Sequence, residues 1–145
     1  LNGQIKADGN ILNLTKTGGT AVPTVKRNAT TGLGTLFYAG NNGSLYFTGV
    51  NSSSDDNRLI IDGGAEYATA GDARTTCTST GNKGVLVDCR DAVLSMTHVI
   101  LQNGYSDRGT TTADQPLGSA IFLKNETNNK KDATLTDVKI QGCAG

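Results

Sequence analysis

Three kinds of side chain in this 145-residue chain have the intrinsic chemistry for catalysis or cross-linking: one histidine, a scatter of aspartates, and three cysteines. His98 is the sole histidine, and no serine or cysteine stands at a spacing that would make it the base of a nucleophilic triad. It reads as an outward residue at a bend. The aspartates that matter are Asp55, Asp56, Asp62, Asp88, Asp91, Asp114, Asp132 and Asp137. Glycoside hydrolysis needs two carboxylates facing one another across the scissile bond. The nearest approach to that is Asp62 set beside Arg90 and Asp91 on a neighbouring repeat. Asp55 and Asp56 lie in a serine-rich bend, where an Asx side chain accepts from local backbone N–H groups. Asp62 and Asp88 close apolar runs and read the same way. On this reading the chain has no catalytic residue, no metal site and no cofactor.

The cysteines form no C-x-x-C pair, so a structural zinc site is not expected. Cys77 and Cys89 flank a polar loop of a length that suits a disulfide; two unbonded, buried small residues are the alternative. Cys143 is left over and is expected to pair outside this segment. Five Asn-x-Ser/Thr sequons, at Asn13, Asn28, Asn42, Asn51 and Asn125, all fall at expected polar turns or loops where a glycan is tolerated. The glycine-rich stretches GNNG and IIDGGAE lack the lysine and following helix of a phosphate loop and read as turns.

Composition narrows the function classes. Thirteen basic and thirteen acidic residues give zero formal net charge, and no basic stripe offers the counterion release that nucleic-acid binding uses. No apolar run approaches the ~20 residues of a spanning helix, so this segment is not expected to insert into a membrane. A start at Leu1 and a stop at Gly145 read as processing in front and truncation behind. Threonine clusters such as RTTCTST and GTTTAD sit in loops, which argues against the aligned ranks of an ice-binding face.

The elements that must position these residues are short. No window shows helical periodicity; β-branched runs broken by Gly, Asn and Asp clusters dominate, which is an all-β pattern. Three stretches repeat a common plan of strand, polar turn, strand, bend, strand: Leu36–Gly63, Val85–Gly104 and Ala120–Gly142. Met96, Val99, Leu101 and Gln102 align with Leu135, Val138, Ile140 and Gln141. The apolar-x-x-apolar step across Thr97-His98 and Thr136-Asp137 breaks strict alternation, as a corner requires. Strands opening at Phe37, Leu86 and Ile121 are expected to stack. Both polar insertions, 64–83 and 105–117, follow a third strand, in phase, as loops extruded from one corner of a solenoid do. The expected fold is a right-handed parallel β-helix of about three coils over 34–145, with 1–33 as an irregular first coil or an N-terminal cap. In the coil version, 9–15 and 21–25 are strands.

With these residues in view, the pattern resembles the β-helical passengers of bacterial autotransporters and the chlamydial polymorphic outer-membrane proteins. GSAIFLKN (118–125) is similar to that group's GGA[I/L/V] and F-x-x-N elements, with Ser119 in place of the second glycine. TLTDVKIQGC (134–143) looks like its following strand pair. The resemblance implies a secreted or cell-surface structural protein, an adhesin or scaffold. Its partners would be other copies or neighbouring β-helix segments, or a host-surface protein or glycan. A carbohydrate-binding or carbohydrate-cleaving β-helix is the alternative. The Gly-His-Gly and Arg-x-Lys elements of polygalacturonase-like enzymes are not in the sequence.

Overall fold

In the computed structural model the described residues are 1–19, 21–28, 34–64, 84–105, 120–125, 127 and 131–143. They form ten strands and one 3-10 turn, Asp55–Asn57. The strands are β1 (Ile5–Asp8), β2 (Ile11–Thr15), β3 (Thr24–Lys26), β4 (Phe37–Gly40), β5 (Ser44–Thr48), β6 (Leu59–Asp62), β7 (Val87–Arg90), β8 (Val93–Gln102), β9 (Ile121–Lys124) and β10 (Ala133–Gln141).

Every pairing between these strands is parallel, and each joins a strand to its equivalent in the next repeat. One sheet has the order β1-β4-β7-β9. In the other, β2 pairs with β5 and β5 with the first half of β8, β3 pairs with β6 and β6 with the second half of β8, and β10 runs along β8 from Leu94 to Gln102. The repeat alignment read from sequence reappears as register: Met96 pairs with Leu135, Val99 with Val138, Leu101 with Ile140 and Gln102 with Gln141. One alignment is displaced. Phe37 pairs with Val87 and Val87 with Ile121, so Leu86 stands one place before the strand opening. Because side chains alternate, Leu86 and Leu36 are buried from the approach to the strand instead.

Residues 1–28 join the same scheme. The sequence pattern marks strands at 9–15 and 21–25; the structure adds β1, and pairs β1 with β4, β2 with β5 and β3 with β6. IKAD is too short and too polar to be recognised alone; its partner strand decides it.

Between the sheets the core is thin and aliphatic. Phe37, Ala39, Val87 and Cys89 face Leu45, Phe47, Leu94, Met96, Leu59, Ile61, Val99 and Leu101. The Phe37 and Phe47 rings meet edge-to-face at 4.9 Å. On the last repeat the same inward ranks are open: Leu123, Leu135 and Ile140 are 50%, 46% and 53% exposed.

Three corners recur, each turned by a residue in the left-handed region. The first uses Gly9, Asn41, Asn42 and Asp91; the second His98 and Asp137; the third Gly64, Asn103 and Gly142. Gly, Asn, Asp and His are the types that tolerate that conformation. The expected bend at Thr97-His98 and Thr136-Asp137 therefore has a specific cause, a single positive-φ residue at 54° and 52°. In the preceding repeat the same bend widens to 49–58, with Val50 N–H donating to Asn57 O at 2.8 Å across its neck. Among the described residues no helix is long and apolar enough to cross a membrane.

Candidate functional site

The second corner gathers charged side chains that are far apart in sequence. Arg58, 3% exposed, enters from the strand edge after the acidic bend. Its Nη1 donates to Asp137 O, and its Nη2 to Asp137 Oδ1, at 2.6 and 2.8 Å. Its Nε lies 3.3 Å from Asp55 Oδ1, outside hydrogen-bond geometry. His98 Nδ1 is 3.0 Å from Asp137 Oδ2, and Lys139 Nζ pairs with Asp55. Arg58, then His98 and Ser52, hold the Asp137 carboxyl down to about 2 from its ordinary 3.8. The corner ties three successive repeats together with balanced charge. Asp137 orients one nitrogen of His98, but among the described residues no serine or cysteine nucleophile is recorded bonding the imidazole. The arrangement is a staple. The sequence places His98 and Asp137 at equivalent bends without linking them, and nothing in its repeat pattern marks Arg58 or Lys139. The signal available for Arg58 was its position between the SSSDDN bend and the apolar run LIID.

The third corner buries Asp62, 6% exposed. Its Oδ1 accepts from Gly64 N–H at 2.7 Å and Asn103 Nδ2 at 3.1 Å, and its Oδ2 from Gln102 Nε2 at 2.9 Å. Gln141 Nε2 continues the ladder to Gln102 Oε1 at 3.0 Å. Here the expectation for Asp62 is met, its carboxylate satisfying corner donors; Asp88 differs from it, lying inside β7 and accepting from the Arg90 side chain. The pairing of Asp62 with Arg90 and Asp91 is not formed. Arg90 instead engages Asp88, two residues back on the same strand, at 3.1 Å, and Asp91 accepts from Thr127 N–H at the first corner. Arg27, 2% exposed, reaches from the end of β3 to Gly84 O and Val85 O at 3.1 and 3.4 Å. Its Nη1 meets no acceptor among the described residues, and desolvation lowers the guanidinium to about 10.

Both large insertions leave the described chain at this third corner, after Gly64 and after Tyr105, and re-enter just before β7 and β9. Gly84 N–H donates to Tyr105 O at 2.6 Å at their shared base. Apart from Gly64 and Tyr105 the insertions expected at 64–83 and 105–117 lie outside the described residues.

Cys77 also lies outside them, and so does Asp114. Cys89 and Cys143 carry free thiols. Burial, then the neighbouring Asp88 charge, pushes the Cys89 thiol up to about 12. Burial also raises Cys143, whose Sγ accepts from Gly104 N–H at 3.3 Å. Of the sequons, Asn42, Asn51 and Asn125 are exposed in turns or loops and Asn28 is half-buried after β3. Asn13 differs from expectation: it lies inside β2, on an exposed outward position. Asn51 Oδ1 accepts from Ser53 N–H, Ser53 Oγ and Asn57 Nδ2, which organises the bend.

The outward face of the first sheet carries a different chemistry. Lys6, Tyr38, Asp88 and Phe122 stand in one rank across β1, β4, β7 and β9. The Lys6 ammonium lies 5.9 Å from the Tyr38 ring centre and the Arg90 guanidinium 5.4 Å from that of Phe122. Beside β9 an open cleft of about 150 Å³ has Ala92, Leu123 and Ala133 with Lys124, Asn125 and Lys131 on its wall. Among the described residues no three His, Cys, Asp or Glu side chains converge to hold a metal. Comparison of the chain with protein-family models, with curated proteins and with solved structures gives no match.

Proposed function

We propose that this chain is a segment of a right-handed parallel β-helix that serves as a non-catalytic structural or adhesive element of a secreted or cell-surface protein. The observation that carries the reading is the pairing scheme: each repeat binds the next in parallel, in register, with its polar residues sent to the corners. A right-handed crossover is the hand that twisted parallel strands favour. The corner groups with the chemistry for acid–base work are already engaged with one another, Asp62 by three donors and Asp137 by Arg58 and His98. The exposed inward ranks of β9 and β10 suit a further repeat, from a longer chain or another copy. The resemblance to autotransporter passengers points the same way.

The test is a cleavage screen on acidic polysaccharides, with and without calcium. The expected result is no new reducing ends and no unsaturated products. Turnover by the purified chain refutes the non-catalytic reading. A second measurement is limited proteolysis: cuts confined to 65–83 and 106–119, with the fragments still associated, support a rod displaying two loops.

A further inference from the structure

We infer that the open end formed by β9 and β10 is a docking face for a second copy of this chain, inverted so that the two open ends meet about a two-fold axis. Docking of this kind rests on the stacked-repeat reading and names the partner for its exposed last repeat.

The two ends of the stack differ. At the first repeat the inward residues Ile5, Leu12, Leu14 and Val25 are half-buried, and Ala7 is buried. Arg27 N–H faces β6 through Asp62 O, so Lys26 O and Asn28 N–H face the other way, off the stack. Leu1 takes both: its N donates to Lys26 O at 2.6 Å, and its O accepts from Asn28 N–H at 2.8 Å. Lys6 and Lys26 stand exposed on these strands and Pro23 leads into β3, features that discourage edge pairing. The last repeat has the opposite character. Among the described residues no strand pairs with the outer edges of β9 and β10, and the inward Leu123, Leu135 and Ile140 are about half exposed. One open end per chain fits a closed pair, in which the same patch of both copies meets itself.

The order of residues makes that face self-complementary. In β10 the inward positions, in register with buried Leu94, Met96, Val99 and Leu101, are Ala133, Leu135, Val138 and Ile140. Their spacing of two, three and two reads the same in both directions, because the corner at Thr136-Asp137 lies at its centre. An antiparallel second copy therefore sets Ala133 against Ile140 and Leu135 against Val138, inward on inward, and brings corner to corner. β9 is symmetric in the same way, with inward Ile121 and Leu123 on either side of Phe122, so Phe122 falls opposite itself. A single two-fold axis, through the second corner and the middle of β9, serves both strands. In this register Lys124 faces Ala120, Lys139 faces Thr134 and Asp137 faces Thr136, so no charge is set directly against its like.

The experiment is sedimentation equilibrium of the full chain over a concentration series. The contact is one coil in cross-section, at the small end of specific interfaces, so the expected result is a reversible dimer with a dissociation constant on the order of micromolar and nothing larger. Leu135→Lys and Ile140→Lys each weaken it at least about tenfold, since each buries an unpaired charge on docking. Ile11→Lys, at the other end and exposed, leaves it unchanged. Phe122→Cys sets two thiols opposite one another across the axis, within reach of a disulfide. Oxidised glutathione then links two copies, while the parent and Tyr38→Cys stay unlinked. If Leu135→Lys loses its β-sheet circular dichroism, Ile140→Lys decides the matter. A monomer at every concentration, growth past the dimer, a dimer indifferent to both lysines, or no link through position 122 overturns the proposal. Hydrogen exchange of the β5 and β8 amides separates the two readings: a monomer with those amides protected refutes the docking alone, and a chain with them unprotected refutes the stack beneath it.

Discussion

Replacing Gly43 with alanine tests the stacking of repeats through the sign of its effect. Gly43 follows the Asn41–Asn42 turn and is not at positive φ, so alanine strains nothing locally. In a segment without a neighbouring repeat, Gly→Ala at such a position stabilises by about 0.4–1 kcal/mol, because the unfolded chain loses freedom. Here a Cβ would fall on backbone: 2.9 Å from Gly40 O, 3.0 Å from Ala7 C, and closer still to Ala7 O. Carbonyl groups held in ladders cannot swing aside as a side chain can, so β1 must draw away from β4 by roughly 1 Å. Three inter-repeat bonds bracket the site: Gly9 N–H to Gly40 O at 3.0 Å, Ser44 N–H to Asn10 O at 2.9 Å, and Val93 N–H to Gly43 O at 3.0 Å. Each is worth about 0.5–1.5 kcal/mol net, and overpacking costs about 1–3 kcal/mol. The expected loss is therefore at least about 2 kcal/mol, read from the midpoint of urea unfolding at constant slope. Gly3→Ala, with open space around it, is the control. A Gly43→Ala midpoint equal to or above the parent's refutes the stacking of β1 and β2 on β4 and β5.

The second-corner staple predicts coupling between Arg58 and Asp137: Arg58→Met and Asp137→Asn each destabilise, and the double variant costs less than their sum. An additive cycle rejects the staple. Asp137 also sets an acid limb. Its carboxyl is depressed in the folded state, so its contribution is complete above about pH 4 and is lost as pH falls toward 2. Asp137→Asn should flatten that part of a stability–pH profile, and an unchanged limb counts against the pairing. Cys89, buried and pushed up to about 12, should resist alkylation at pH 8 in the native protein and react once unfolded without reductant. A thiol still silent after unfolding would reveal a disulfide, with Cys77 the first partner to map.

The amino-acid order alone determined the local features. Short β-branched runs, the apolar-x-x-apolar steps at His98 and Asp137, and the match of Met96–Gln102 to Leu135–Gln141 are legible because inward and outward residues alternate along each strand, and a corner must break that alternation. The tertiary structure decided which residues meet across repeats. Insertions of unequal length separate equivalent strands, so nothing local puts Arg58 beside Asp137 or ranks Tyr38 with Phe122. The same cause explains β1: IKAD has no pattern of its own, and becomes a strand because FYAG offers it a parallel edge. It also explains the one-place displacement at Leu86, where three consecutive apolar residues, Val85, Leu86 and Val87, leave the phase open until Phe37 and Ile121 fix Val87 inward.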